Sequence, residues 1–465
     1  MTTTQNTPHY HFIGIGGIGM SALAIFCLQK GYRVSGSDVQ SSKLTIKLQQ
    51  LGAQISLGHS ARNLTDANAV IYTSAMRKDN PEYQKALQQN VKVYHRAEFL
   101  AFLTKDYAEL IAITGTHGKT TITSLLAHIM HEANFDPSFI NGGLANDFTH
   151  HAHAGNSPYM IIEADESDAS FLKIHPKHII ISNVDLDHMQ TYQHEIKALI
   201  QSFADFALAD NVNGEILIGS GSDSAYKLVE KVKIQKPHAL HYGLNSDMDI
   251  QITDFQQTAD HAKFDIAVTN KTYNDFVSTL PGTHNAENAL AAIALCLKFG
   301  IAEDIIKKAL LSFKGIYRRF NHYQTIVNNH PIQLIDDYGH HPVEIQSTLD
   351  AVSKQFPHQR LIHIYQPHRY TRTRDLFQEF IDCLNGADIV VLMRSYAASE
   401  DPIDGAHALD LFNTLKNDHA QCFYVDNNEE AKALVDKLAI AHDVVLVQGA
   451  GDIANLVSML HENSN

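Results

Sequence analysis

The chain has 465 residues with ordinary globular composition, 44% hydrophobic and 19% charged; that is too long for one core, so two to four domains are expected. A formal net charge of −15 excludes a general binder of nucleic acid or of anionic membrane, so anionic substrates would need a local basic patch. The four cysteines, Cys27, Cys296, Cys383 and Cys422, are far apart and form no Cys-x-x-Cys pair, which fits free thiols in a reducing compartment.

The first twenty residues hold no Lys or Arg, so no secretory n-region is read there. No apolar run approaches membrane-spanning length. A cytosolic protein without membrane insertion is expected. Three segments follow. In residues 1–105, "HYHFIGIGGIGMSALAIFCLQKGYRVSGSD" reads as strand, glycine turn, helix and strand, and "AVIYTSA" holds another short apolar run. Residues 106–320 carry the runs "LIAIT", "YMIIEA" and "HIIISNV", a more polar strand-rich part, and the helical "NAENALAAIALCLKFG". Residues 321–465 carry "IQLIDD", "RLIHIYQP", "ADIVVLMR", "CFYVD" and "DVVLVQGAGD", most of them separated by helical patterns. Apolar runs alternating with helices imply parallel sheets covered on both faces. Several runs end in polar or glycine-rich residues, where open parallel sheets bind their ligands.

Two of these ends are phosphate loops. Gly14, Gly16 and Gly19 form G-x-G-x-x-G after a strand, with Asp38 at the end of the next strand. Glycines let the backbone approach a diphosphate and the helix N-terminus favours its charge; a dinucleotide and UDP satisfy the motif equally. The second is "ITGTHGKTT", Gly115 to Thr121, where only Thr116 and His117 separate Gly115 from Gly118, whereas the usual loop has four residues there. Its amides would hold β- and γ-phosphates, Lys119 would add a point charge, and the Thr120 hydroxyl would serve Mg²⁺. "EADESD" places Glu163, Asp165, Glu166 and Asp168 at a strand end, and Asp185, Asp187 and His188 end the next. Carboxylates facing phosphates repel them unless a cation lies between. "QPHRYTRTRDL" groups His368, Arg369, Arg372 and Arg374, suited to a carboxylate or phosphate, and "GIYRRF" adds Arg318 and Arg319. His150, His151 and His153, in "THHAHA", lie in a polar loop and are taken as solvated surface.

Taken in order, "HFIGIGGIGMSALA", "GSD", "ITGTHGKTT", "EADESDASF", "DHMQTYQ", "GTHNAENALAA", "RRF", "DDYGHHPVEI", "QPHRYTRTRDLF" and "GAGDI" resemble the Mur ligases, which build the peptide stem of bacterial peptidoglycan. The family's ATP loop is the shortened one. The resemblance implies an α/β protein of three domains: an N-terminal Rossmann-like domain for a UDP-sugar, a central P-loop-type α/β domain for ATP, and a C-terminal Rossmann-like α/β domain for an amino acid. It implies a ligase that joins L-alanine to the carboxylate of UDP-N-acetylmuramate through an acyl phosphate, forming ADP and phosphate, with Mg²⁺ or Mn²⁺, as a monomer or homodimer.

Residue by residue, it assigns the sugar nucleotide to Gly14, Gly16, Gly17, Ile18, Gly19, Asp38 and Ser74. ATP falls to Gly115, Thr116, His117, Gly118, Lys119, Thr120, Thr121, His284, Asn285, Asn288 and Arg319, with Arg318 equally near. The metal falls to Thr120, Glu163 and His188. The amino acid and acyl group fall to Tyr338, His340, Arg369 and Arg372, with His368 either accepting a proton or orienting substrate; Lys119, His368, Arg369 and Arg372 form the catalytic set. Phe203 stands where several sister ligases carry a carbamylated lysine. Three other readings compete: a ligase recycling a tripeptide onto the same sugar nucleotide, a nicotinamide-dependent oxidoreductase built on Gly14–Gly19 and Asp38, and a sensor that binds without turnover.

Overall fold

The computed structural model describes residues 7–73, 76–187, 189–219, 221–258, 261–398, 400–419 and 421–461. It holds three sheets, of five, ten and six strands. The first is parallel, in the order Gln54–Leu57, Arg33–Asp38, His9–Ile13, Ala69–Tyr72, Lys92–His95. Its order reverses beside the first strand. Such a reversal opens a crevice at the carboxyl ends, and the Gly14 turn lies there. Helix Ile18–Gln29 buries eight consecutive residues from Met20 to Cys27, which explains its nearly all-apolar sequence.

In the second sheet, Glu109–Thr114 lies between Tyr159–Glu163 and His178–Ile181, all parallel. Strands buried on both faces read as unbroken apolar runs; "HIII" at 178–181 is buried throughout. The strand-rich polar part extends this sheet through Ile250–Gln257, Ala262–Val268 and Lys271–Ser278. The third sheet runs Asn321–Val327, His330–Asp337, Val444–Gln448, Leu361–Tyr365, Ile389–Met393, Cys422–Val425. Only its edge strand Asn321–Val327 is antiparallel, closing a hairpin with His330–Asp337.

By contacts the chain forms two compact units, one of residues 1–255, 264–278 and 285–314, the other of 256–263, 279–284 and 315–465. Within the first, the hairpin of Ser138–Ile140 and Ala152–His153 packs on helix Ile18–Gln29. The solvated reading of "THHAHA" is corrected here. His151 is 5% exposed, and its Nε2 lies 3.0 Å from Ser21 Oγ. The turn just before strand Ala152–His153 presses an imidazole into the helix behind the first glycine turn. His153 instead faces Asp136 at 3.1 Å.

Candidate active site

The first glycine turn is held from below. Gly14 and Ile15 donate their amides to Ser37 O. Gly16 N donates to Asp38 Oδ2 and Val39 N to Asp38 Oδ1, each at 2.8 Å. A Cβ on Gly16 would lie 2.9 Å from Asp38 Oδ2 and from Thr45 Cγ2, so that glycine is fixed by close approach. Asp38 thus braces the loop, a use unlike the ribose contact that a nicotinamide dinucleotide asks of such a residue. Helix Ile18–Gln29 has no side-chain cap and no acid in its first turn, and Gly17 and Ile18 are exposed. Unclaimed amides at a helix start suit a diphosphate. Ser74, called for the same ligand, lies outside the described residues.

The shortened loop works by leaning on the neighbouring strand end. His117 N donates to Asn183 Oδ1 at 2.9 Å, Asn183 Nδ2 to His117 O at 3.1 Å, and Ser182 Oγ also donates to His117 O. Asp185 N donates to Thr116 Oγ1 at 3.0 Å. Gly115 has φ +117°, and a Cβ there would lie 2.4 Å from Ser182 Oγ; Gly118 has φ +83°, and a Cβ would lie 2.3 Å from Asn288 Oδ1. Both glycines are therefore required by conformation and by space. Asn288 Nδ2 donates to Asn285 Oδ1 at 3.4 Å, which ties Asn285 to the side chain that borders the loop. His284 packs its ring against the Gly282 turn.

Lys119 and Thr120 open helix Lys119–Glu132, with Thr121 buried behind them. Lys119 Nζ folds back onto Gly115 O at 2.5 Å and Thr116 O at 3.1 Å, and pairs with Glu166 Oε2 at 2.8 Å. Burial opposes the ammonium charge, but Glu166, Asp165 and Glu163 outweigh it and raise its pKa. Burial pushes Glu166 up to about 7, against the pull of Lys119. "EADESD" flagged Glu166 as acidic, but its pairing with Lys119 has no sequence signal.

Glu163 fits a cation. Its Oε1 is buried without a hydrogen-bond partner. Burial raises its pKa, while the Thr120 hydroxyl, Lys119 and the Gly142 amide act the other way. Gly142 makes room, since a Cβ there would sit 2.4 Å from Glu163 Oε2. A hydroxyl and a carboxylate are the oxygen donors Mg²⁺ takes alongside water and phosphate. No cluster of three His, Cys, Asp or Glu is found among the described residues, and His188, the third ligand expected from sequence, lies outside them. Phe203 is fully buried, 5.5 Å from the Phe171 ring, so that position serves the core.

In the second unit the residues expected at the amino acid converge at the carboxyl ends of the third sheet. The Tyr338 ring meets His340 at 5.4 Å, His340 meets His368 at 5.5 Å, and His368 stacks on Tyr396 at 5.4 Å. Arg372 is buried and donates from Nη1 to His368 O. Burial, with Arg372 and Arg369 beside it, holds His368 down at about 4. That ring is neutral at physiological pH, which suits orientation of substrate better than uptake of a proton. Arg369 has φ +73°, a conformation that a bulky L side chain rarely adopts. Its amide donates to Tyr396 O and its Nε lies 2.9 Å from Glu400 Oε1.

The two neighbouring arginines separate clearly. Arg318 is 6% exposed and donates to Asp336 Oδ1 and Gly449 O, a structural post. Arg319 lies over the Tyr338 ring at 5.1 Å and donates to Glu344 Oε1 at 3.2 Å. Sequence reasoning missed Glu344, Glu400 and Asp337. Glu344 had a signal: "HHPVE" is a capping box with Pro at the first helical turn. Asp337, beneath the Gly339 turn, accepts from Phe320 N, Gly339 N, Thr348 Oγ1 and Gln448 Nε2.

Three family models match in succession: "Mur ligase family, catalytic domain" over residues 9–108, "Mur ligase middle domain" over 113–296, and "Mur ligase, glutamate ligase domain" over 318–451. The chain belongs to the Mur ligase family. A UDP-N-acetylmuramate–L-alanine ligase of Nitrosospira multiformis is 40% identical over 99% of this chain and 95% of its own. The crystal structure of UDP-N-acetylmuramate-alanine ligase from Thermotoga maritima superposes with TM-score 0.83 at 29% identity, covering 98% of each chain. A murein peptide ligase from Psychrobacter arcticus shares the fold, with TM-score 0.70 at 22% identity, over 97% of this chain and 98% of its own. As a Mur ligase the chain is an α/β protein of three domains.

Proposed function

We propose that this Mur ligase joins L-alanine to the lactyl carboxylate of UDP-N-acetylmuramate, the first step of the peptidoglycan stem peptide, at the expense of ATP. The observation that carries the reading is the 40% identity to an enzyme of that activity over 99% of the chain, because it spans both phosphate loops and the His368–Arg372 cluster. Oxide is a hopeless leaving group, so the carboxylate oxygen first attacks the γ-phosphorus and ADP leaves. The alanine amine then adds to the acyl carbon, the tetrahedral species expels inorganic phosphate, and an amide remains.

Each group has a task. The amides of Gly115–Thr121 and the Lys119 ammonium hold the β- and γ-phosphates, and Arg319 meets the γ-phosphate. Asn285, Asn288 and His284 border the nucleoside. Thr120 and Glu163, with His188, would hold Mg²⁺, or Mn²⁺ in its place; that ion lowers the repulsion between carboxylate and triphosphate. Arg369 and Arg372 fork onto the alanine carboxylate, and Tyr338, His340 and His368 line its pocket. Gly14, Gly16, Gly17, Ile18, Gly19 and Asp38 form the sugar-nucleotide loop and its brace, and Ser74 is assigned to the same ligand. The reading sets the enzyme in the bacterial cytosol, consistent with four free cysteines; among the described residues no helix is long and apolar enough to cross a membrane.

The test uses UDP-N-acetylmuramate carrying oxygen-18 in its lactyl carboxylate. The label is expected in the released phosphate, and only when L-alanine and ATP are both present. Unlabelled phosphate would refute the acyl phosphate. Turnover with a tripeptide in place of L-alanine would give the enzyme to recycling.

A further inference from the structure

The glycine loop proposed for the sugar nucleotide has no cation of its own: residues 9–29 contain no Lys or Arg. A helix start offers partial charge only, whereas a diphosphate carries at least two full negative charges. The structure supplies a guanidinium from elsewhere in the same sheet. Arg96 follows strand Lys92–His95 and opens helix Arg96–Thr104. It emerges at the carboxyl end, across the strand-order reversal from Arg33–Asp38. Its guanidinium lies against Gly19, the third glycine of the motif. A Cβ on Gly19 would come within 3.1 Å of Arg96 Nη1, 3.3 Å of Cδ and 3.7 Å of Cζ. Gly19 therefore keeps the space that Arg96 fills.

Arg96 is also held from the other side. Its Nη2 donates to Asp165 Oδ2 at 3.3 Å, and Asp165 belongs to the acidic turn whose next residue, Glu166, pairs with Lys119. The turn is pinned in place, with Tyr192 Oη donating to Glu166 O and Thr191 Oγ1 to Ser167 O. The Arg96 side chain remains 27% exposed, and a guanidinium has five N–H donors in a planar fork, so one bond to Asp165 leaves donors for phosphate oxygens.

We propose that Arg96 binds the diphosphate of the sugar nucleotide, with Asp165 as the positioning residue that aims its fork at the Gly14–Gly19 loop. The inference rests on the sugar-nucleotide reading above and adds to it the charge that the glycine motif lacks. It also gives Gly19 a purpose besides helix packing. The same ion pair links the sugar-nucleotide loop to the acidic turn of the ATP loop through one side chain.

The test is calorimetric titration of the full-length protein with UDP-N-acetylmuramate, UDP and uridine. Arg96→Ala should weaken the two diphosphates at least tenfold and leave uridine within twofold; Arg96→Lys should recover part of the loss. Asp165→Asn should cost less than Arg96→Ala, and the double variant should lose no more than Arg96→Ala alone, because Asp165 acts through the arginine. Unchanged UDP affinity in Arg96→Ala, or a parallel loss of uridine, would overturn the diphosphate contact. Additive losses in the double variant would overturn the role of Asp165. Failure of the unaltered protein to bind any of the three ligands would instead overturn the reading on which the inference rests.

Discussion

His151 offers a quantitative check on how the histidine hairpin packs. Burial holds its ring down at about 4, against about 6.5 in an unfolded chain. A buried neutral imidazole must take up a proton when the chain unfolds in acid, so the native state loses stability as pH falls from about 6.5 toward about 4. The span of about 2.5 pH units is worth about 3 kcal/mol in full, at about 1.4 kcal/mol per unit. At pH 5 the unfolded ring is almost wholly charged and the folded ring almost wholly neutral, which leaves about 2 kcal/mol. Replacement by Gln keeps an amide within reach of Ser21 and removes the titration. Urea unfolding followed by circular dichroism suits a chain without tryptophan. Between pH 7.5 and pH 5, His151→Gln should lose about 2 kcal/mol less stability than the parent. The other histidines cancel in that difference. An equal loss in both proteins, or a His151 proton resonance titrating near pH 6.5, would refute the buried packing.

Lys119→Ala should abolish nearly all turnover, a loss of at least about a hundredfold expected for one preorganised cationic donor, while calorimetric UDP-N-acetylmuramate binding persists; normal turnover would remove the loop from the mechanism. Arg372→Ala should chiefly raise KM for L-alanine and leave KM for ATP near its parent value; unchanged alanine kinetics would contradict the carboxylate contact. Gly118→Ala should cost roughly 1–2 kcal/mol for the left-handed backbone alone and more for displacing Asn288, read as a lower thermal midpoint with weaker ATP binding; an unchanged midpoint would mean that the turn is not held as described.

The sequence carried the fold well where pattern follows physics. Strands such as 178–181 and 444–448 are buried throughout and read as apolar runs, and the glycines at 14, 115 and 118 mark left-handed turns at their ends. The aromatic and arginine positions proposed for the amino acid meet because they follow strands His330–Asp337 and Leu361–Tyr365 of one sheet, with Val444–Gln448 between them; the sequence assigned them only through the family resemblance. What was illegible depends on contacts between distant segments. No local pattern says that Glu166 turns back on Lys119, 47 residues earlier, or that Glu400 clamps Arg369. The "THHAHA" cluster looked solvated by composition, and only the docking of its hairpin on helix Ile18–Gln29 buries His151. Asp38 fits the dinucleotide motif by position, yet its oxygens are used by the backbone of its own loop. Motif spacing records where a residue lies along the chain, not which of its lone pairs are already committed.

A protein of net charge −15 that handles a triphosphate, a diphosphate and two carboxylates must concentrate cations without leaving them bare. Four cations at the candidate sites each face an acid: Lys119 with Glu166, Arg96 with Asp165, Arg319 with Glu344, and Arg369 with Glu400. An unpaired buried charge is costly: for the largely buried Lys119–Glu166 pair removing one partner costs about 3–5 kcal/mol, whereas the more exposed Arg96–Asp165 and Arg369–Glu400 pairs are screened by water and worth less. The acids therefore hold each cation in place when no substrate is present. They also moderate affinity, because an incoming anion replaces or shares a carboxylate rather than meeting naked positive charge. For Lys119 the exchange is direct. Its three ammonium hydrogens already point at two loop carbonyls and at Glu166, so a phosphate must draw the ammonium away from at least one of them. A ligase benefits from that competition, since the same acids are present to take the cations back when ADP and phosphate leave. On this argument Glu166 belongs to the release of products as much as to the order of the empty loop.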